Sequence, residues 1–198
     1  MQRICFLPLI VAMFLAGCAF NANAQSEDVQ VVKKTTQTSA PDTPSLVPTE
    51  TPDLVPHDPP ASCPLTMPQN PPFIPPPPYD TMGFKGEFWY GTNALWTAVR
   101  ENGTWEALPH NPEGYTQKVF WWRDGYVWTG ESEPELIVTA ERLDGPAPLV
   151  KASKATNAHA ADIGSAMLVG VDLPTLGCWK ITGKYAHAEL SFVVWVVP

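Results

Sequence analysis

The chain has 198 residues, a formal net charge of −8 and an aromatic share of 11%, with 23 prolines, 8 tryptophans and 4 cysteines. That length admits one core-forming domain with room for an appended segment. The acidic balance and the lack of any basic stripe argue against nucleic acid as a partner and against direct adhesion to anionic lipid headgroups.

In chain order, the first element is an apolar run from Ile4 to Ala16, with one positive charge, Arg3, before it. It is too short for the roughly 20 residues of a spanning helix. Its end, Leu15-Ala16-Gly17-Cys18, is similar to the lipobox of bacterial lipoproteins. Residues 1–17 are therefore expected to be a lipoprotein signal peptide. Cys18 would begin the mature chain and carry acyl chains (palmitate among them) that tie it to a membrane from outside the cytoplasm. Ala19, in place of Asp, points to the outer membrane if the cell is Gram-negative. The alternative is an ordinary secretory signal cut after Ala22-Asn23-Ala24, which would leave the protein periplasmic or secreted. Loss of Arg3 with the signal makes the mature chain one charge more acidic.

Residues 18–62 form the lipid anchor and a Pro/Thr-rich linker. Thr43-Pro44-Ser45-Leu46-Val47-Pro48-Thr49-Glu50 is followed by the imperfect repeat Thr51-Pro52-Asp53-Leu54-Val55-Pro56-His57-Asp58. Prolines at that density favour extended polyproline II over a packed core, so a disordered, semi-rigid tether is expected. Fully stretched at about 3.1 Å per residue it would reach up to roughly 130 Å. Its PxxP spacings admit a second reading as a recognition ligand, but its place between anchor and domain favours the tether.

Cys5 leaves with the signal and Cys18 is used by lipid, so Cys63 and Cys178 are left together in an oxidising compartment and should form a disulfide. It would close a loop of about 115 residues and stabilise by roughly 4–5 kcal/mol in the chain-entropy model. The alternative, two free or metal-binding thiols, has no Cys-x-x-Cys or histidine cluster behind it. Next comes Pro71-Pro72-Phe73-Ile74-Pro75-Pro76-Pro77-Pro78-Tyr79. It should lie extended on the domain, clasped by the disulfide and held by Phe73, Ile74 and Tyr79.

Residues 63–198 read as an all-β domain. Asn102-Gly103 is expected to join Ala94–Arg100 to Thr104–Leu108 as a hairpin, and Asp124-Gly125 to join Lys118–Arg123 to Tyr126–Thr129. Asn102-Gly103-Thr104 is also formally a glycosylation sequon, which the turn explains better. Later strands are predicted at Glu135–Leu143, Ser165–Asp172, Gly177–Tyr185 and Glu189–Val197, with Ala152–Ala161 a short helix or a loop. Alternation places Trp179, Ile181 and Tyr185 on one face of their strand and Cys178, Lys180 and Thr182 on the other. The last strand is apolar on both faces, with Phe192, Val194 and Val196 opposite Val193, Trp195 and Val197. It should be a central strand covered on both sides or partly exposed for binding. The expected fold is an antiparallel β-sandwich of immunoglobulin-like kind, although a disulfide on the outer face would differ from the core bridge of that fold.

Several blocks carry a resemblance: Cys63-Pro64, Trp89-Tyr90-Gly91 with Leu95-Trp96, Lys118 with Trp121-Trp122-Arg123, Arg142-Leu143-Asp144-Gly145-Pro146-Ala147-Pro148, and Gly177-Cys178-Trp179-Lys180-Ile181-Thr182-Gly183. Together they resemble an uncharacterised family of small exported bacterial proteins and lipoproteins with a Cys-Pro start and a Gly-Cys-Trp-x-x-Thr-Gly ending. The resemblance covers nearly the whole domain and implies its fold and its export. The acidic Asp124–Pro134 connection is longer than the family pattern.

No catalytic motif stands out. His57, His110, His159 and His187 are scattered, no G-x-S-x-G is present, and no Gly-rich phosphate loop implies a cofactor. Acid pairs such as Glu87 with Glu106, or Glu141 with Asp144, would suit a glycosidase, but any acidic domain offers such pairs. Glu131, Glu133 and Glu135 alternate; a calcium site is one reading and a solvated turn the other, since the spacing of a calcium loop is missing. The remaining signal is tryptophan. Trp121 and Trp122 are adjacent on one strand, so they point to opposite faces. One should be core; the other is either covered by the proline-rich segment or left exposed, with Arg123, as the candidate binding surface for a glycan or a protein partner. The expectation is a non-catalytic binding or structural module of the cell envelope, attached to the membrane by its lipid. A carbohydrate- or peptidoglycan-binding module is the alternative, and an extracytoplasmic hydrolase the third reading.

Overall fold

The structure is a computed structural model that describes residues 56–81 and 84–198. The signal peptide, Cys18, the Ala22-Asn23-Ala24 site and the tether up to residue 55 lie outside the described residues. Two sheets pack face to face. The first runs in the order β1 (Glu87–Thr92), β2 (Leu95–Arg100), β5 (Gly114–Trp122), β9 (Gly164–Leu173), β8 (Thr156–Ala160), with β4 (His110–Asn111) on β5. The second runs β3 (Thr104–Trp105), β11 (Ala188–Val196), β10 (Gly177–Tyr185), β6 (Ile137–Arg142), β7 (Val150–Lys151). The pairings are antiparallel except β3 with β11. The all-β sandwich expected from the sequence is the fold observed. Its strand order is not the ABED/CFG order of an immunoglobulin constant domain.

Period-two alternation builds the core. Val119 and Trp121 of β5, Met167, Val169 and Val171 of β9, Trp179 and Ile181 of β10, and Phe192, Val194 and Val196 of β11 all turn inward. Burying one large apolar side chain is worth about 1.5–3 kcal/mol. Trp121 crosses the interior to lie on Gly183 of the opposite sheet, where a Cβ would meet the ring at 2.5 Å. Only glycine lets the sheets approach there.

Neither expected hairpin forms, for one reason: the strands that would be extended already have neighbours on both sides. Strand β2 lies between β1 and β5, and β5 between β2 and β9. At Asn102-Gly103 the Gly103 amide donates to Arg100 O at 2.9 Å and Gly103 takes a φ of 65°. This turn carries the chain out of the first sheet, so Thr104–Trp105 pairs with β11 of the second. At Asp124-Gly125 the turn forms, with the Tyr126 amide donating to Arg123 O at 3.3 Å, but Tyr126–Thr129 is a loop. The stretch expected to be helix or loop contains β8, an edge strand paired with β9 through Thr156–Ala160. Strand β1 escaped the sequence reading because Phe88, Trp89 and Tyr90 put aromatic rings on both faces and hide the alternation.

Cys63 and Cys178 are bonded, with Cα atoms 5.8 Å apart, on the outer face of β10 as alternation requires. Ordered contacts begin upstream of Cys63: Trp195 Nε1 donates to Pro56 O at 3.1 Å. Downstream, Thr66 exchanges hydrogen bonds with Val193 at 3.1 and 2.8 Å, and Gln69 Oε1 accepts from the Gly91 amide of β1. The chain thus passes from the second sheet to the first. The proline-rich segment then crosses the first sheet's outer face, ending in a 3-10 turn at Tyr79–Thr81. Disulfide and prolines therefore cover opposite sheets, whereas the sequence suggested one clasped by the other. Phe73 and Tyr79 hold the segment as expected, but Ile74 is 67% exposed and Pro75 is buried in its place.

Candidate functional site

Trp121 and Trp122 do occupy opposite faces of β5, but both are completely buried. Trp121 belongs to the inter-sheet core. Trp122 faces outward into a second aromatic layer: Trp89 meets it edge-on at 5.1 Å, Phe84 lies at 6.2 Å, and its Nε1 donates to Ile163 O at 2.9 Å. Neighbouring Trp96 is covered by Phe73 and Tyr79 at 6.0 and 5.7 Å. Of the two alternatives for the outward ring, the exposed platform is therefore corrected and the covered one holds: neither Trp121 nor Trp122 is exposed, and Phe84 closes over Trp122.

Arg123, the third candidate, is half-buried at the end of β5. Its guanidinium lies 5.6 Å over the Tyr185 ring and its Nε donates to Asp124 O. The corner beneath is firmly built. The Tyr185 hydroxyl donates to the Glu131 carboxylate, whose other oxygen accepts from the Glu135 amide, and the Tyr126 hydroxyl donates to Glu131 O. Burial, followed by the hydrogen bond to Glu131, pushes the Tyr185 hydroxyl up to about 12. Burial and then Glu131 also raise Tyr126.

This corner fixes the loop that follows β5. The loop presents Val127, 57% exposed, and Trp128, 38% exposed. Trp128 stacks on His159 of β8 at 5.3 Å and 24°, and its carbonyl accepts from Asn157 Nδ2 at 2.6 Å. Two hollows flank Arg123 and Asp124. One, of about 490 Å³, contains Asn93, Tyr185 and His187; the other, of about 350 Å³, contains Tyr79, Tyr126, Val127 and His159. Both volumes fall in the small-ligand range. Sequence reasoning missed Trp128. The signal was its place in the long, acidic Asp124–Pro134 connection.

The acids weighed for catalysis are engaged with bases: Glu106 with Arg100, Glu141 with Lys180, and Asp144 with Arg142 at 2.8 Å. Burial raises Glu87 while Arg100 opposes it. Glu131 and Glu133 are likewise committed, to Tyr185 and to Lys154. No group of three His, Cys, Asp or Glu side chains suited to a metal occurs among the described residues. His110 packs on Tyr115 and His57 is exposed on the segment before Cys63. No family model, no curated protein and no solved structure matches the chain.

Proposed function

We propose that the mature chain is a lipid-anchored, extracytoplasmic protein of the bacterial envelope whose β-sandwich serves as a non-catalytic binding or structural module. The observation that carries this reading is the Cys63–Cys178 bridge. Cleavage before Cys18 leaves only these two cysteines unmodified, and pairing them is what an oxidising compartment does. The Leu15-Ala16-Gly17-Cys18 box and the Pro/Thr-rich tether support the same location. Glycan binding is the second reading, favoured by the exposed Trp128, which stacks on His159 in the lining of the smaller hollow.

Replacing Cys18 by Ser tests the anchor. The variant should lose incorporation of labelled palmitate and leave the membrane fraction, or accumulate as unprocessed precursor. Normal processing after Ala24 with unchanged membrane association would overturn the lipoprotein reading.

A further inference from the structure

Taking the domain as a binding module, we propose that its ligand is a carboxylate-bearing glycan, held at the tip of the sandwich by Trp128, Arg123 and the two hollows that meet at Arg123. Two independent features converge there, on a lining completed by a hairpin turn. The first is the ring. Trp128 is the most exposed tryptophan among the described residues, and His159 stacking fixes its plane. An indole held this way offers the apolar face on which the C–H-rich side of a sugar ring rests.

The second feature is charge. Arg123 has its guanidinium oriented by the Tyr185 ring, and only its Nε is engaged, to a backbone carbonyl. No carboxylate of the described residues lies within 4.0 Å of it; the same holds for Lys85, Lys118 and Lys151, whereas Arg100, Arg142, Lys154, Lys180 and Lys184 have acidic partners. Of the four unpaired cations only Arg123 lines the two hollows, where Asp124 is the one acidic side chain. A guanidinium with free, fixed donors fits a carboxylate in bidentate fashion. In a chain of net charge −8 such a local site selects an acidic ligand against the overall field. Asn93 and His187 in one hollow, and Ser165 in the other, supply the polar rim that hydroxyl groups need.

The β10–β11 turn completes the lining. Tyr185 pairs with Ala188, so Ala186 and His187 are the two turn residues, and the φ of 51° at Ala186 is the positive value a two-residue hairpin calls for. The turn brings His187 into the lining of the hollow that holds Arg123.

The test is affinity electrophoresis of the mature chain through gels containing polygalacturonate, hyaluronate, dextran or amylose, with pull-down on purified peptidoglycan sacculi and on a panel of peptides with free C-terminal carboxylates. The carboxylated polymers or sacculi should retard the protein and the neutral polymers should not. Trp128→Ala should weaken retention at least tenfold and Trp128→Phe much less. Arg123→Gln should weaken it at least tenfold, and all three variants should melt near the native temperature. If Trp128→Ala proves unstable, Trp128→Phe and Arg123→Gln carry the comparison. Equal retention by dextran removes the carboxylate from the proposal, and retention by peptides alone assigns the tip to a peptide partner. No retention by any polymer or by sacculi, or variants that bind like the native chain, overturns it. Cys18 lies outside the site, so binding by a non-acylated chain separates failure of the anchor from failure of the glycan site.

Discussion

The two sheets share one core but treat their outer faces in opposite ways. On the first sheet, Trp96, Trp122 and Ala166 point outward and are buried, because Phe73, Tyr79 and Phe84 of the preceding segment pack over them. On the second, a dry patch of Cys178, Trp195 and Val197 under Cys63 and Leu65 gives way to polar pairs. There Thr182 meets Ser191 at 2.8 Å, Lys184 meets Glu189 at 2.9 Å, and Lys180 meets Glu141. The difference teaches what each cover must be. A segment lying on an aromatic face cannot leave amides unpaired against it, and proline has no amide to leave. The proline-dense stretch thus suits the apolar face, while water covers the face that alternation makes polar.

Three measurements would break or sharpen this contrast. The largest effect belongs to the sealed aromatic layer: Trp122→Ala should cost about 3–5 kcal/mol in denaturant unfolding, the usual loss for a buried tryptophan. A cost below 1 kcal/mol would mean that the layer is not core-like. Next is the clasp. The double variant Cys63→Ser, Cys178→Ser should lose about 2–5 kcal/mol. Limited proteolysis should then cut first in the segment between Pro56 and Thr66, while the cover over Trp96 and Trp122 persists. Simultaneous cleavage around Phe73 would show the two covers to be one cooperative unit. The smallest effect is expected on the polar face. Lys184→Ala breaks an ion pair in which both side chains are more than half exposed, and such pairs contribute about 0–1 kcal/mol. A loss as large as that of Trp122→Ala would erase the distinction between the faces.

Strands β9, β10 and β11 were legible as long apolar runs between turn residues; only β10 alternates cleanly, so there facing followed from counting, while β11 is apolar on both faces. Cys178 on the outer face and Trp179 in the core came from the same rule. The hairpins were misread because Asn-Gly and Asp-Gly report a residue able to take positive φ and nothing about what lies beyond it. Gly103 takes that conformation, yet its turn leads to the other sheet, since β2 has no free edge. The exposed tryptophan was misplaced for a related reason. Period two puts Trp122 outward, but whether outward means wet depends on a cover that arrives from Phe73, Tyr79 and Phe84, distant in sequence. Trp128 carried no alternation, only its place in a long acidic connection, and its exposure comes from a loop held by Glu131, Tyr126 and Tyr185.

Strand β10 begins at the disulfide and ends at the tip. Cys178 and Tyr185 are its opposite ends, about 23 Å apart at about 3.3 Å per residue. A pull from the N-terminal side reaches the domain at Cys63 and passes through the sulfurs straight into this strand, between β11 and β6. Because residues 63 and 178 are covalently joined, the chain between them forms a closed ring that carries no tension along the route. A load applied at Tyr185 against a fixed N-terminus therefore travels down one rod, hydrogen-bonded on both sides, whereas Arg123 and Trp128 lie within the ring and pass a load into β5 and its aromatic layer.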